Sequence, residues 1–254
     1  SIQVDYEVEQ AIMDPLRAGQ QGSGLVWPDA PSNQAFVYER GDRQATQKAF
    51  ETAAHCVSLR LVNQRIAAAA LEPRSAIASW NALTQHYRLV VSAASLHFIQ
   101  KELAEAVLGI PVEQLEVVSP DVGGGFGMKN VTYPEYAVLL WASKKLGRSI
   151  HWTADRLDDF LSGVHGRDNI THGRLALDRK GRFLALDVET VANIGAYVTS
   201  LGPGSATVAP TPAMGGLYQI PTLSMRVRGV FTHMAPIDAY RGAGKPEANY
   251  MLER

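Results

Sequence analysis

The run Ser119-Pro120-Asp121-Val122-Gly123-Gly124-Gly125-Phe126-Gly127-Met128-Lys129-Asn130 packs four glycines into five positions, directly after the apolar stretch Leu115-Glu116-Val117-Val118. That stretch reads as the end of a strand. Glycine loses more backbone freedom on folding than any other residue, so a cluster this dense belongs where a chain needs positive φ angles or close backbone approach. Both suit a loop whose N–H groups converge on an anion or a planar ligand. Phe126 then either anchors the loop or faces the ligand. Two familiar phosphate-binding patterns fail on spacing. Counted from Gly123, the third glycine of G-x-G-x-x-G falls on Met128. In the P-loop pattern a lysine follows a glycine directly, whereas Lys129 follows Met128 and precedes Asn130. The next helix opens only near Pro134, so the loop does not feed a helix start. A glycine connection without a ligand remains the alternative at this point.

A second glycine-rich stretch, Asp238-Ala239-Tyr240-Arg241-Gly242-Ala243-Gly244-Lys245-Pro246-Glu247-Ala248, favours the ligand reading. Pro246 suits a first helical position, Glu247 a first turn, and residues 248–252 continue a helix. A basic, glycine-rich turn that runs into a helix start is a ready anion site. The dipole there contributes only about 0.3–1 kcal/mol when exposed. Arg241 and Lys245 therefore carry most of the attraction, and Arg241 can grip an oxyanion with two parallel bonds.

The rest of the chain bounds the function. Its 254 residues are 46% hydrophobic and 19% charged, with a net charge of -1, an ordinary globular composition with room for a substantial core. That balance gives no basis for a nucleic acid or an anionic membrane as partner. No apolar run approaches the roughly 18 residues of a membrane span. Cys56 is the single cysteine, which excludes an internal disulfide and an iron–sulfur cluster carried by this chain, and fits a reducing, cytoplasmic compartment. The seven histidines show no H-E-x-x-H or paired ligand spacing, so no metal site built from protein side chains is expected. His165, Arg167 and Asp168 read as a structural polar cluster, Glu72 and Glu135 as structural polar contacts, and Tyr136 and Trp141 as core.

Periodicity predicts an extended connector over 19–43, a short helix over 47–54, and strands over 56–61, 76–80 and 86–92. A helix over 98–108 is expected to bury Ile99, Leu103, Ala106 and Val107 and to end at Gly109. A second helix spans 134–146, closed by Gly147. A strand over 150–152 and a helix over 155–161 follow. Residues 173–177 and 182–190 form a hairpin around Asp178-Arg179-Lys180-Gly181. Residues 193–217 read as a long loop with at most one helical turn, and 223–228 as a strand. The class expected is α+β, a mixed β-sheet with helices packed on one face.

Both glycine stretches together resemble those of the molybdenum hydroxylases, the xanthine dehydrogenase, aldehyde oxidase and carbon monoxide dehydrogenase large-subunit family. Also similar are Leu71-Glu72-Pro73-Arg74, Tyr133-Pro134-Glu135-Tyr136, Thr153-Ala154-Asp155-Arg156, His165-Gly166-Arg167-Asp168, Asn193-Ile194-Gly195-Ala196-Tyr197 and Gly229-Val230-Phe231-Thr232. Order and spacing match from about residue 25 to the last residue. The A-Y-R-G-A-G run at 239–244 looks most like the carbon monoxide dehydrogenase branch.

The resemblance implies a molybdopterin cofactor, as such or in its cytosine dinucleotide form, whose dithiolene rather than the protein holds molybdenum. It implies hydroxylation of an aldehyde, an N-heteroaromatic or a related small substrate with water as oxygen source. Electrons then leave through iron–sulfur and FAD partner subunits or domains. Carried over by motif, Gly124, Gly125, Phe126, Gly127, Ala239, Arg241, Gly242 and Ala243 bind the cofactor. Tyr240 and Arg241 are the catalytic candidates, and Asn130 and Tyr240 lie on the substrate side. Residues 1–16 are expected to be the tail of a preceding domain and 17–254 the first molybdopterin-binding domain, cut before the second. The family's general-base glutamate lies in that second domain, so the piece alone is expected to be inactive and free of cofactor. Some positions depart from the family. Ala94 aligns where a glutamine is frequent. Asn130 stands near the glutamate of xanthine-specific members, and 240–244 lacks the cysteine of copper-using carbon monoxide enzymes. Purine specificity and copper-type chemistry are therefore not expected. Two other classes make contrary predictions: a nucleotide-binding enzyme, which nucleotide would stabilise, and a cofactor-free structural or interaction module.

Overall fold

Alternating apolar residues bounded by glycine or polar turns become strands wherever a neighbouring strand satisfies their backbone. The computed structural model describes residues 2–20 and 22–254. Its strands are β1 (Gln34–Gly41), β2 (His55–Asn63), β3 (Ile66–Ala67), β4 (Ser75–Asn81), β5 (His86–Val91), β6 (Leu115–Val118), β7 (Ile150–Thr153), β8 (His165–Gly166), β9 (Asn169–Leu177), β10 (Phe183–Gly195) and β11 (Thr222–Phe231). Its α-helices are α1 (Pro15–Ala18), α2 (Arg43–Thr52), α3 (Leu96–Lys101), α4 (Pro134–Leu146), α5 (Arg156–Ser162), α6 (Gly202–Ala206) and α7 (Lys245–Leu252). The expected α+β class holds, with the strands divided between two mixed sheets and a ribbon. The five-stranded sheet runs β1-β11-β10-β9-β2, the four-stranded sheet β6-β5-β4-β7, and β3 pairs with β8. In each larger sheet one pair is parallel, β10 with β11 and β5 with β6. None of the described helices is long and apolar enough to cross a membrane.

Each sheet buries its own core. Leu89, Val91 and Leu115 meet Ile99 and Leu103 from the α3 region and Tyr136 and Leu140 from α4. Val188, Ala192, Met225 and Val227 of the larger sheet meet Ala248 and Met251 of α7. Each such fully buried aliphatic side chain stabilises the fold by roughly 1.5–3 kcal/mol. The site lies where the two halves meet, because the loop after β6 leaves the small sheet and the turn before α7 leaves the large one.

Several expectations need correction. Residues 19–43 are not all connector: β1 pairs antiparallel with β11, placing Tyr38 opposite Val227. The ring of Phe36 covers Gly229 so closely that a Cβ there would lie 2.4 Å from it. The expected α-helix over 98–108 stops at Lys101 and continues as a π-helix over Glu102–Leu108, ending at Gly109 with φ +63°. Wider turns rotate the later residues. Ala104 is buried beside Leu103, and Val107 is half exposed instead of facing the core. Trp141 is exposed, with the Lys145 ammonium 4.6 Å from its ring centre, while Tyr136 is buried as expected. Residues 2–13 form neither strand nor helix, and Ile12 N–H donates to His233 Nδ1 at 2.9 Å.

Candidate cofactor-binding site

Gly124, Phe126 and Gly127 have φ of +98°, +51° and +104°, the positive-φ backbone from which anion-binding nests of N–H groups are built. Among the described residues, the N–H groups of Gly124, Gly125, Phe126 and Gly127 find no protein acceptor. The amides around them are used internally. Gly123 N–H donates to Glu72 Oε2 at 2.7 Å, Met128 N–H to the Gly125 carbonyl at 3.0 Å, and Asn130 N–H to the Gly127 carbonyl at 3.1 Å. Below the loop, the Tyr133 hydroxyl donates to the Met128 carbonyl at 2.8 Å and accepts from Val164 N–H at 3.2 Å. Burial pushes the Tyr133 phenol far above its ordinary pKa, so it stays a donor.

The turn before α7 closes over this loop. Arg241 N–H donates to the Phe126 carbonyl at 2.9 Å. Gly127 lies so near residue 239 that a Cβ on it would sit 2.1 Å from the Ala239 carbonyl oxygen. Gly242, Ala243 and Gly244 all have positive φ, and Ala243 N–H donates to the Tyr240 carbonyl at 2.7 Å. The structure therefore brings Gly124, Gly125, Phe126 and Gly127 together with Ala239, Tyr240, Arg241, Gly242 and Ala243. Phe126 and Arg241 are exposed, Asn130 is half-buried, and Tyr240 packs partly buried against the first core.

Arg167 supports the second turn from behind. Its guanidinium donates to the Tyr240 carbonyl at 3.2 Å, the Arg241 carbonyl at 2.8 Å and Glu247 Oε1 at 3.3 Å, and lies 5.2 Å from the Tyr240 ring centre. Gly166 is the floor under that ring, since a Cβ there would fall 2.2 Å from Tyr240 Cβ. Glu247 stands in the first turn of α7. Burial raises its pKa and the Arg167 charge opposes this. The helix start expected to attract an external anion is thus faced by the protein's own carboxylate.

Asp238 anchors the same turn. Fully buried, it accepts from Thr199 Oγ1 and from Ala239 N–H. Burial raises its pKa, these bonds lower it, and the charge of Glu102 raises it further. Glu102, at the start of the π-helix, bridges Thr132 and Ser200, tying the segment after the glycine loop to the long connection between β10 and β11. His165 links the ribbon to the turn through its backbone, with its carbonyl accepting from Asp238 N–H at 2.7 Å. Burial and the Arg65 charge lower the His165 pKa against a bond from its ring to the Phe160 carbonyl. Asp168 pairs with Arg65 at 2.6 Å. Glu135 pairs with the buried Arg74 at 3.3 Å, and Ala94 N–H donates to the Lys129 carbonyl at 3.1 Å.

The roles of Lys129, Arg167, Asp238 and Glu102 were not anticipated from the sequence. A lysine two residues past the last glycine of the run was the available signal for the first. Arg167 reads from sequence only as part of a structural polar cluster and Asp238 only as the head of the second glycine stretch, while nothing local marks Glu102; all three act across long sequence separations.

The two glycine-rich turns thus lie side by side against a two-sheet α+β body, joined by the bond from Arg241 N–H to the Phe126 carbonyl. The chain belongs to the molybdopterin cofactor-binding domain family, matching it over residues 26–254. It is 30% identical to the carbon monoxide dehydrogenase large chain of Hydrogenophaga pseudoflava over 268 aligned residues, covering 100% of this chain and 33% of that one. It is 31% identical to the nicotine 6-hydroxylase large subunit of Paenarthrobacter nicotinovorans, covering 95% of this chain and 29% of that one. Among solved structures, reconstituted CO dehydrogenase from Oligotropha carboxidovorans superposes with a TM-score of 0.91 at 26% identity, covering 99% of this chain and 33% of that one. The chain thus spans about a third of the length of the relatives it matches.

Proposed function

We propose that this chain forms one wall of the molybdopterin site of a molybdenum hydroxylase, with residues 17–254 as the first cofactor-binding domain and 1–16 as the tail of a preceding one. The observation that carries this reading is the row of amides from Gly124 to Gly127 without protein acceptors, set beside the Arg241 turn. These residues are half-exposed to exposed, so their amides are free to donate to an acceptor-rich, anionic pterin. The close approach of Gly127 to Ala239 leaves no room for a side chain and keeps both backbones against one ligand.

When bound, the cofactor supplies a molybdenum centre that oxidises an electron-poor carbon with oxygen drawn from water. The chain's own part is positional. Gly124, Gly125, Phe126 and Gly127 offer amides to the cofactor, and Ala239, Arg241, Gly242 and Ala243 line its other side. Arg241, an exposed residue, orients a polarised substrate oxygen through charge-assisted hydrogen bonds. Tyr240 shapes the same wall by packing on Gly166 and Arg167, and Asn130 borders the substrate side. The substrate is an aldehyde or an N-heteroaromatic, the latter class supported by the likeness to a nicotine hydroxylase. Electrons pass to iron–sulfur and FAD subunits or domains in the cytoplasm. A second molybdopterin-binding domain supplies the opposite wall and the general base, so this piece alone holds no cofactor and is inactive.

The test is metal and pterin analysis of the full-length protein purified with its partner subunits, followed by an electron-acceptor assay over a panel of aldehydes and N-heteroaromatics. About one molybdenum and one pterin per chain, with turnover of a panel member, is expected. Absence of both from an intact assembly would overturn the reading.

A further inference from the structure

We infer that Lys129 and Glu72 are positioning residues, a knot between a buried ammonium and a partly exposed carboxylate that sets the shape of the 123–127 loop before the cofactor arrives. The inference rests on the molybdopterin reading above. Lys129 is fully buried, and its Nζ donates to the Glu72 carbonyl at 2.9 Å, Glu72 Oε2 at 2.8 Å and Ser92 Oγ at 2.8 Å. An ammonium has three donors, and all three are used. Glu72 Oε2 in turn also accepts from Ser92 Oγ at 2.6 Å and from Gly123 N–H at 2.7 Å. One carboxylate oxygen therefore holds the first glycine of the loop and the lysine that ends it. Glu72 N–H adds a bond to the Gly123 carbonyl at 3.3 Å, and the Lys129 carbonyl accepts from Ala94 N–H at 3.1 Å. Both ends of the loop are clamped to segments that lie far away in the sequence.

Stability alone does not call for this arrangement. Taking the Lys129 ammonium out of water is costly, and ion pairs with a buried member commonly stabilise no better than well-packed apolar side chains of similar volume. What an apolar pair would not reproduce is the bond from Glu72 Oε2 to Gly123 N–H, nor the fixed distance between the loop's two ends. The amides of Gly124 to Gly127 are held between those ends with no acceptor of their own, and their arrangement depends on the clamp.

The test uses the full-length protein in its native complex and compares wild type, S92A and the double variant K129M/E72Q. Hydrogen exchange across residues 123–129 is read on cofactor-free protein. Pterin release is read on loaded protein below its unfolding temperature. S92A removes one hydrogen bond to each charged partner and should lower the melting temperature by only a few degrees. It should nonetheless speed exchange at Gly123 and release the pterin about tenfold faster, the scale of one hydrogen bond to a charged group. The double variant should retain its fold and lose more pterin than S92A does. Wild-type exchange and release rates in both variants would overturn the inference, because a lysine that merely fills the core is replaced by methionine without loss at the loop. An intact wild-type assembly that lacks pterin but still shows the exchange difference would sink the molybdopterin reading and leave the clamp standing.

Discussion

Arg241 donates its backbone N–H to the carbonyl oxygen of Phe126 at 2.9 Å, so the two glycine-rich turns are joined by main chain rather than by side chains that could be exchanged. A joint of that kind tolerates little change in backbone spacing, because both partners are fixed by their own loops. The consequences fall first on the glycines beside it.

Gly127→Ala is expected to part the two turns. Its φ of +104° is a conformation L side chains rarely adopt, and the new Cβ would lie 2.1 Å from the Ala239 carbonyl. Strain of this type costs on the order of 1–3 kcal/mol before the clash is added. A drop in melting temperature and loss of bound molybdenum from the full-length assembly are the expected readouts. Gly147→Ala, at φ +64° with open space around it, is the control: it should lower stability modestly and leave the metal content intact.

Removing Arg167 should be costlier than removing the pair. Arg167 and Glu247 are each 11% exposed, so Arg167→Met leaves a buried carboxylate without its cation, a change worth about 3–5 kcal/mol in comparable pairs. The double variant R167M/E247L removes both charges and should recover a large part of that loss. Denaturant melts of the four proteins in the cycle decide it. Equal instability of single and double variants would show that the guanidinium's bonds to the Tyr240 and Arg241 carbonyls, not its charge, hold the turn.

The acid limb of the stability curve should carry the signature of Glu72. Burial pulls its pKa up, but hydrogen bonds from Lys129, Ser92 and Gly123 N–H, with the Lys129 charge, outweigh this and hold it below the ordinary 4.5. A carboxyl with a depressed folded pKa contributes stability above its unfolded value and loses it as pH falls through the folded one. Glu72→Gln should therefore be destabilising at neutral pH and show a flatter decline below about pH 4.5 than wild type. Asp238 and Glu247 have raised pKa values because of burial. Their contribution has the opposite sign, present below the unfolded value and lost as pH rises through the folded one. Urea midpoints of E72Q and wild type compared across about pH 3 to 7 check the difference.

Much of this architecture was legible from local pattern, and the exceptions have physical causes. Gly109 and Gly147 ended their helices as expected, both in the left-handed region, because a helix end needs a residue free of Cβ strain. The alternation at 223–228 marked β11, whereas β1 was hidden by the glycines, prolines and glutamines around Phe36-Val37-Tyr38. Residues 2–8 show the reverse case: Ile2, Val4, Tyr6 and Val8 alternate with polar residues, yet all four are exposed and no strand forms. The π-helix left no mark because Ile99 and Leu103 fit an α-helical face equally well. At the site, the glycines declared themselves through their spacing. Lys129 and Arg167 did not, because a charged side chain is ordinarily solvated, and its burial depends on partners such as Glu72 and Glu247 that only the tertiary fold brings near.

Arg241 offers the sharpest separation of fold from function. Its backbone makes the joint to Phe126, while the residue itself is exposed. Arg241→Lys keeps the N–H, the positive charge and most of the length, and so should leave the melting temperature within about a degree of wild type, as surface substitutions generally do. A lysine ammonium cannot present the planar pair of donors that grips an oxygen from two directions. If the guanidinium orients the developing charge on the substrate, the full-length assembly carrying R241K should lose about 10²–10³ in kcat, the scale of one missing oxyanion donor, with molybdenum and pterin content unchanged. A variant that turns over at the wild-type rate would remove the side chain from the chemistry and leave the residue its backbone role alone. A variant that loses the metal instead would assign the guanidinium to cofactor binding.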